Sequence, residues 1–299
     1  MLASRSRSSR TRARNKEAIS SPPSRRRRSY YPDWVERMWI DLDGLANLRD
    51  VGGIPTTDGG KIIPGRLLRS DNLQTLTTSD VDQLLGLGLS DVIDLRSDYE
   101  AEREGPSPLT RADVRIHQFS LFREWEIGVG ETKPDVRPEV LPEEALPWVD
   151  LEPSVQLDNE VASVYFSYLV DRPDSVLAAL RAVAGAPGTA LVHCAAGKDR
   201  TGTLVALALS VAEAEPQAII DDYAASSERV EQVVGRLMAS PTYAGNLEGR
   251  PISSHLSHPE TMISFLRYID DTFGGVLPML IKMGWTADDT DQLRSKLRS

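Results

Sequence analysis

The chain holds one cysteine in 299 residues, and that scarcity excludes two structural classes. No intrachain disulfide framework can form, and no zinc site built on several thiolates is available. Histidine is nearly as scarce. His255 and His258 stand three residues apart, but no carboxylate or thiolate cluster adjoins them, so a metal site there is disfavoured. Long apolar runs are missing as well, since nothing approaches the roughly eighteen residues that a membrane-spanning helix needs. The apolar stretch that follows the basic region of a secretory leader is also absent, which points to a cytoplasmic protein.

Acidic residues outnumber basic ones overall, with a net charge of −10, yet residues 1–28 carry ten Lys/Arg against Glu17 alone. The tail is therefore +9 and the remainder −19. Residues 1–30 are Arg-, Ser- and Pro-rich with few apolar side chains and cannot bury enough surface to offset the entropy of ordering, so they read as a disordered basic tail. Arg25 to Arg28 could attract anionic partners, and an Arg- and Ser-rich, acid-poor start also resembles an organelle transit peptide. Nothing in the tail requires nucleic acid.

Residues 31–299 read as one domain. Asn47 to Gly53 looks like a strand end entering a glycine turn, and Arg66 to Ser70 follows a second turn at Gly59-Gly60. Ser79 is placed to cap a helix carrying Val81, Leu84, Leu85 and Leu87. Asp91 to Leu95 is a short buried strand. Ser97 with Glu100 three residues later forms a capping-box pattern for the next helix, and Arg115 to Leu121 returns to strand. Val161 to Leu169 and Ser175 to Val183 read as helices, Thr189 to His193 as a strand and Thr201 to Ala214 as a buried helix. Five further helical stretches follow, from Pro216 to Leu297. The order implies an α/β fold: a central, mostly parallel sheet flanked by helices, with a helical C-terminal region. Residues 123–160 interrupt it with eleven Asp/Glu, three Lys/Arg and five Pro. So long a connection suggests a lid or mobile insertion, on which Trp125 and Trp148 could cap a site or anchor the segment.

The only cysteine falls between a strand and a helix, in His193-Cys-Ala-Ala-Gly-Lys-Asp-Arg-Thr-Gly202. Ala195, Ala196 and Gly197 are small enough to let the backbone curl into a cup whose N–H groups face a phosphate dianion at the helix N-terminus. The same field favours a thiolate at Cys194. Arg200 supplies a planar fork for two phosphate oxygens, and the Thr201 hydroxyl could donate to the sulfur when it leaves. His193 is expected to point away and fix the loop. These residues imply phosphoryl transfer to sulfur followed by hydrolysis, with no metal and no organic cofactor.

The loop resembles the signature of the cysteine-based protein tyrosine phosphatases, and its Gly-Lys-Asp-Arg-Thr-Gly form is similar to that of the bacterial atypical members. Asn47 to Gly53, Arg66 to Ser70, Asp91 to Arg96 and Asp221-Asp-Tyr223 extend the resemblance over most of the chain from Asn47. It implies that Cys194 is the nucleophile, Arg200 the phosphate clamp, and Lys198 and Asp199 loop residues that shape substrate choice. The implied substrates are phosphotyrosine, with phosphoserine, phosphothreonine or phosphoinositides as further candidates. Relatives place an acidic residue just past the strand ending at Leu121, where this chain has Phe122, Arg123 and Glu124. Glu124 or Glu126, an insertion residue such as Asp135 or Asp150, or Asp199 could each serve as general acid. Asp199 is preferred because the loop itself fixes its position, although a purely structural role for it is as reasonable. Arg49 and Asp50 could buttress the loop or hold the glycine turn. A phosphate-binding module with little turnover remains the alternative, whereas rhodanese and arsenate reductase loops lack the Lys-Asp-Arg-Thr-Gly continuation.

Overall fold

In the computed structural model the described residues are 38–122 and 153–298. The basic tail and residues 123–152 of the acidic insertion, with Glu124, Trp125, Glu126, Asp135, Trp148 and Asp150, lie outside them.

Thr189-Ala-Leu-Val-His193 (β6) is apolar or β-branched at four of its positions and buried along its whole length, as a strand covered on both faces must be. It sits at the centre of the sheet, whose order is β1-β2-β3-β6-β4-β5. The other strands are Met38–Trp39 (β1), Arg49–Asp50 (β2), Leu67–Ser70 (β3), Leu89–Asp94 (β4) and Arg115–Gln118 (β5). The β3, β6, β4 and β5 pairings are parallel, and β1 and β2 add antiparallel at one edge. The strand expected to run to Leu121 ends at Gln118. Beyond it, Phe119 N–H still donates to the Asp94 carbonyl at 2.8 Å.

Alternation along the strands sends side chains to two cores. Leu67, Ile93, Ala190 and Val192 face the larger one, with helices Glu160–Asp171 (α3), Pro173–Gly185 (α4) and Asp199–Val211 (α5). Leu68, Val92 and Leu191 face the smaller one, with Leu84 of helix Thr78–Gly86 (α1). The chain therefore leaves β3 toward one face and the adjacent β6 toward the other. Such a divergence opens a crevice at the carboxyl ends of the strands, the usual ligand position in open α/β sheets.

Helix boundaries follow local chemistry. The cap of α1 is Thr77 rather than Ser79: Thr77 accepts from Asp80 N–H, and the Asp80 carboxylate answers at Thr77 N–H. Ser79 lies inside the helix, because the reciprocal box forms two residues earlier, between Thr77 and Asp80. The Ser97/Glu100 box forms as expected and opens Asp98–Glu104 (α2). Helix α5 starts at Asp199, two residues before the expected Thr201. The C-terminal half adds Pro216–Ala225 (α6), Val230–Met238 (α7), Ala244–Leu247 (α8), Pro259–Phe273 (α9), Val276–Met283 (α10) and Ala287–Leu297 (α11). Lys296 of α11 donates to the carbonyls of Ala186 and Gly188, which pins the last helix to the entry of β6. Among the described residues no helix is long and apolar enough to cross a membrane.

Asp80 also accepts from Asp43 N–H at 3.1 Å and Gly44 N–H at 2.8 Å, so one carboxylate holds a cap and a distant turn. Asp80→Ala is expected to cost about 2–3 kcal/mol by stranding these donors, against about 1 kcal/mol for Thr77→Ala. Urea unfolding midpoints check the order. Equal losses would show that the turn contact carries no stability.

Candidate active site

Residues 194–198 connect β6 to α5 at the crevice. Three carbonyls of this loop are turned outward by named donors. Ala195 O accepts from Asn72 N–H at 3.0 Å, and Ala196 O and Gly197 O accept from Asn47 Nδ2 at 3.0 and 3.1 Å. Gly197 O also takes Arg69 Nη2 at 2.9 Å. In a trans peptide the C=O and the following N–H point in opposite directions, so the N–H groups of Ala196, Gly197 and Lys198 are aimed inward. None of them has a backbone partner among the described residues. Together with the start of α5 they form the anion cup that the sequence implies. Gly197 is obligatory here: its φ is +66°, and a Cβ would stand 2.4 Å from Ser70 O.

Behind the loop lies a buried ionic layer. Arg49 donates to Asn47 Oδ1 at 2.6 Å and to Asp222 Oδ1 at 2.9 Å, and Arg69 pairs with the other Asp222 oxygen. Burial alone would raise the Asp222 carboxyl, but the two guanidinium groups outweigh it and hold it below its ordinary range. Asp222 is thus the keystone that orients Asn47 and Arg69 against the loop. Arg49 buttresses the loop while Asp50 holds the glycine turn, accepting from Gly52 N–H at 2.7 Å and Gly65 N–H at 2.6 Å.

Arg200 is buried on the first turn of α5. Its Nη1 and Nη2 donate to the two carboxylate oxygens of Glu100 at 2.5 and 2.9 Å, and Nη1 also reaches Leu95 O at 3.3 Å. A guanidinium has five N–H bonds. These contacts use both on Nη1 and one on Nη2, and so leave the Nε–H and the second Nη2–H, the pair that shares one edge. Phe122 lies on the guanidinium face, with 4.6 Å from Cζ to the ring centroid. Burial works against the charge of Arg200, and the Glu100 carboxylate overcomes it, so its pKa is raised and it stays cationic.

Cys194 is buried at the base of the cup. His193 points away from it, with Nε2 3.5 Å from Asp94 Oδ2 and Nδ1 3.3 Å from Cys194 O. Burial drives the His193 pKa down to about 4 against the pull of Asp94, so the ring is neutral. Thr201 Oγ1 is buried without a hydrogen-bond partner, so the donation to sulfur anticipated from the sequence is not made here. Asp199 accepts a hydrogen bond from Tyr165 O–H, and its Oδ2 is 3.5 Å from Lys198 Nζ. Lys198 Nζ in turn donates to His255 O at 3.0 Å. The carbonyl of His255 therefore serves the loop, and among the described residues no cluster of metal-ligating side chains occurs.

The structure brings Cys194 to Thr201 together on one loop, and it adds Glu100, Asp222, Asn47, Arg69, Tyr165 and Phe122. The sequence shows Glu100 only as a helix cap, and Asp222 only as part of an Asp-Asp-Tyr pattern. A loop that converges backbone N–H groups, a buried thiol and the free edge of a fixed arginine defines a cysteine-dependent phosphomonoesterase site.

Comparison with known proteins agrees. Residues 40–299 match the model of the tyrosine phosphatase family. The triple specificity protein phosphatase PtpB of Mycobacterium tuberculosis is 32% identical over 206 residues, covering 66% of this chain and 72% of that protein. A putative tyrosine-protein phosphatase of Cupriavidus necator is 28% identical over 193 residues, 64% of each chain. A tyrosine-protein phosphatase of Nostoc commune is 30% identical over 166 residues, 55% of this chain and 49% of its own length. The chain belongs to the tyrosine phosphatase family and is a cysteine-based protein tyrosine phosphatase.

The neutral burial of His193 has a measurable consequence. Its pKa is near 4 in the fold and near the ordinary 6.5 when unfolded, so in that window the unfolded chain binds the extra proton. Stability contributed by His193 is present above pH 6.5 and is lost as pH falls toward 4. His193→Gln is expected to flatten the fall of the urea midpoint between those values, and an unchanged slope would show that the ring is protonated in the fold.

Proposed function

We propose that the chain hydrolyses phosphotyrosine through a cysteinyl-phosphate intermediate, with Cys194 as nucleophile, Arg200 as clamp and Asp199 as proton donor and acceptor. The observation that carries this reading is the set of outward-turned loop carbonyls, which leaves inward N–H groups around a buried thiol. Ala195, Ala196, Gly197 and Lys198 bind the phosphate dianion through backbone N–H groups, and the free edge of Arg200 takes two of its oxygens. The Cys194 thiolate attacks phosphorus, an S–P bond forms, and the P–O bond to tyrosine breaks. The leaving oxygen takes a proton from the Asp199 carboxyl. Water then attacks the phosphocysteine, Asp199 accepts its proton, and sulfur departs as thiolate with inorganic phosphate as product. The unpartnered Thr201 hydroxyl is the donor available to sulfur at that step. The site residues need no metal or organic cofactor to complete this sequence.

Breadth of substrate is a further part of the proposal. The triple specificity in the name of the mycobacterial relative, together with Lys198-Asp199 in this loop, supports phosphoserine, phosphothreonine and phosphoinositides as additional substrates. The acidic insertion, at −8 over residues 123–160, ranks them: it follows Phe122, whose ring lies on the Arg200 guanidinium, and its negative charge disfavours polyanions and favours phosphopeptides with basic neighbours. We place the protein in the cytoplasm, where a reducing environment keeps the single thiol free.

Cys194→Ser is expected to abolish hydrolysis of a basic phosphotyrosine peptide while preserving its binding. Arg200→Lys, which loses the fork, is expected to lower kcat/KM by about 100-fold or more. Binding by the wild type without turnover would replace the enzyme with a phosphate-recognition module. Faster turnover of a polyphosphoinositide than of the basic peptide would overturn the role given to the insertion.

A further inference from the structure

Asp199 is held by residues outside its own loop. Tyr165, on the inward face of α3 and 1% exposed, donates its hydroxyl hydrogen to Asp199 Oδ1. The same hydroxyl is 2.8 Å from the Tyr223 hydroxyl of α6. The Tyr165 ring cannot swing away, because Tyr168 stacks on it and the rings of Tyr223 and Phe265 meet it edge-on, with centroids 6.0, 6.1 and 6.3 Å away. Burial, with the Asp199 charge adding to it, raises the Tyr165 pKa well above the ordinary value, so its proton stays on oxygen and remains available to the carboxyl group. The groups facing Asp199 are Tyr165 and Tyr168 of α3, Tyr223 of α6, Lys198 of the loop and His255 of the turn at Ile252–His255. Of these, Tyr165 makes the hydrogen bond to Oδ1, and Lys198 lies beside Oδ2.

We propose that Tyr165 is a positioning residue for proton transfer: its hydroxyl, itself paired with Tyr223, occupies Oδ1 of Asp199 and leaves Oδ2, beside Lys198, to exchange the proton with the leaving group and with water. The inference rests on Asp199 being the proton donor. It gives the buried tyrosine pair a chemical purpose, because a carboxyl group free to rotate about its Cβ–Cγ bond would present the proton in the wrong place for part of the time. A tyrosine in the core could be satisfied by any acceptor, and here the acceptor is a loop residue at the phosphate cup.

The test uses the full chain and two substrates that differ in leaving-group basicity, 4-nitrophenyl phosphate and phenyl phosphate, and compares kcat/KM, which reports the step that breaks the P–O bond. Tyr165→Phe keeps the ring packing and removes only the hydroxyl. It is expected to lower kcat/KM about 10-fold on phenyl phosphate and less than about 3-fold on 4-nitrophenyl phosphate, whose leaving group needs little protonation. Tyr223→Phe should act in the same direction and more weakly, and it provides a second reading if Tyr165→Phe fails to fold. Asp199→Asn should show the larger leaving-group selectivity, and adding Tyr165→Phe to it should cost nothing more. If Asp199→Asn slows both substrates equally, Asp199 is not the acid and the inference falls with it. If Asp199→Asn is selective while Tyr165→Phe slows both equally, the reading of Asp199 stands and the positioning role of Tyr165 is wrong.

Discussion

The buried ion pair between Arg200 and Glu100 is the constraint on which the rest of the site depends. Taking both charges out of water is expensive, and their attraction offsets that cost only with near-ideal geometry. The geometry here is a two-pronged pair, completed by Leu95 O on one side and the Phe122 ring on the face. Glu100 is also the third residue of α2 and accepts Ser97 N–H at 2.8 Å. A helix cap and a phosphate clamp thus share one carboxylate. Removing Glu100 would uncap α2 and leave an uncompensated guanidinium, a loss of about 3–5 kcal/mol for a buried pair of this kind. What the pair secures is orientation, since with the outer nitrogens engaged the remaining edge of Arg200 has one direction to face.

A second buried ionic layer performs the matching task for the backbone. Asp222 holds Arg49 and Arg69, Arg49 orients Asn47, and Asn47 and Arg69 turn the loop carbonyls outward. The layer places charge where a hydrophobic core would be cheaper, and its product is a set of N–H dipoles already aimed before substrate arrives. Preorganised donors of that sort do not have to reorient as charge develops in the transition state. The sheet topology makes this possible. β3 and β6 lie side by side and send their chains to opposite faces, so Ser70, Asp71 and Asn72 line the crevice next to the loop, and Asn72 supplies one of its anchors.

Much of this was legible in the sequence where the signal was local. Cys194 to Thr201 form one contiguous loop, and the strand before it and the helix after it are marked by an apolar run and by small buried residues. The capping box at Ser97 and Glu100 is a four-residue pattern and forms as expected. Interactions between distant positions were not legible. Glu100 lies 100 residues from Arg200, Asp222 lies 153 from Arg69, and Tyr165 lies 34 from Asp199. The spacing marks Glu100 as the partner of Ser97 but not as the partner of Arg200, a contact that only the fold makes. Likewise Thr77 and Ser79 each have an aspartate three residues later, Asp80 and Asp82, and Asp80 is set apart by its contacts with Asp43 and Gly44 N–H, 37 and 36 residues away. Phe122 shows the opposite case. It stands where related enzymes are expected to carry an acidic residue, and the structure places its ring against the clamp instead.

The central claim is that this loop carries the phosphoryl group on the sulfur of Cys194. Rapid acid quenching of the full-length protein during turnover of a phosphotyrosine peptide, followed by mass spectrometric mapping, tests it most directly. The account predicts one phosphate on Cys194, which disappears as inorganic phosphate is released. Turnover with Cys194 unmodified at every quench time, or with phosphate on another residue, would contradict it.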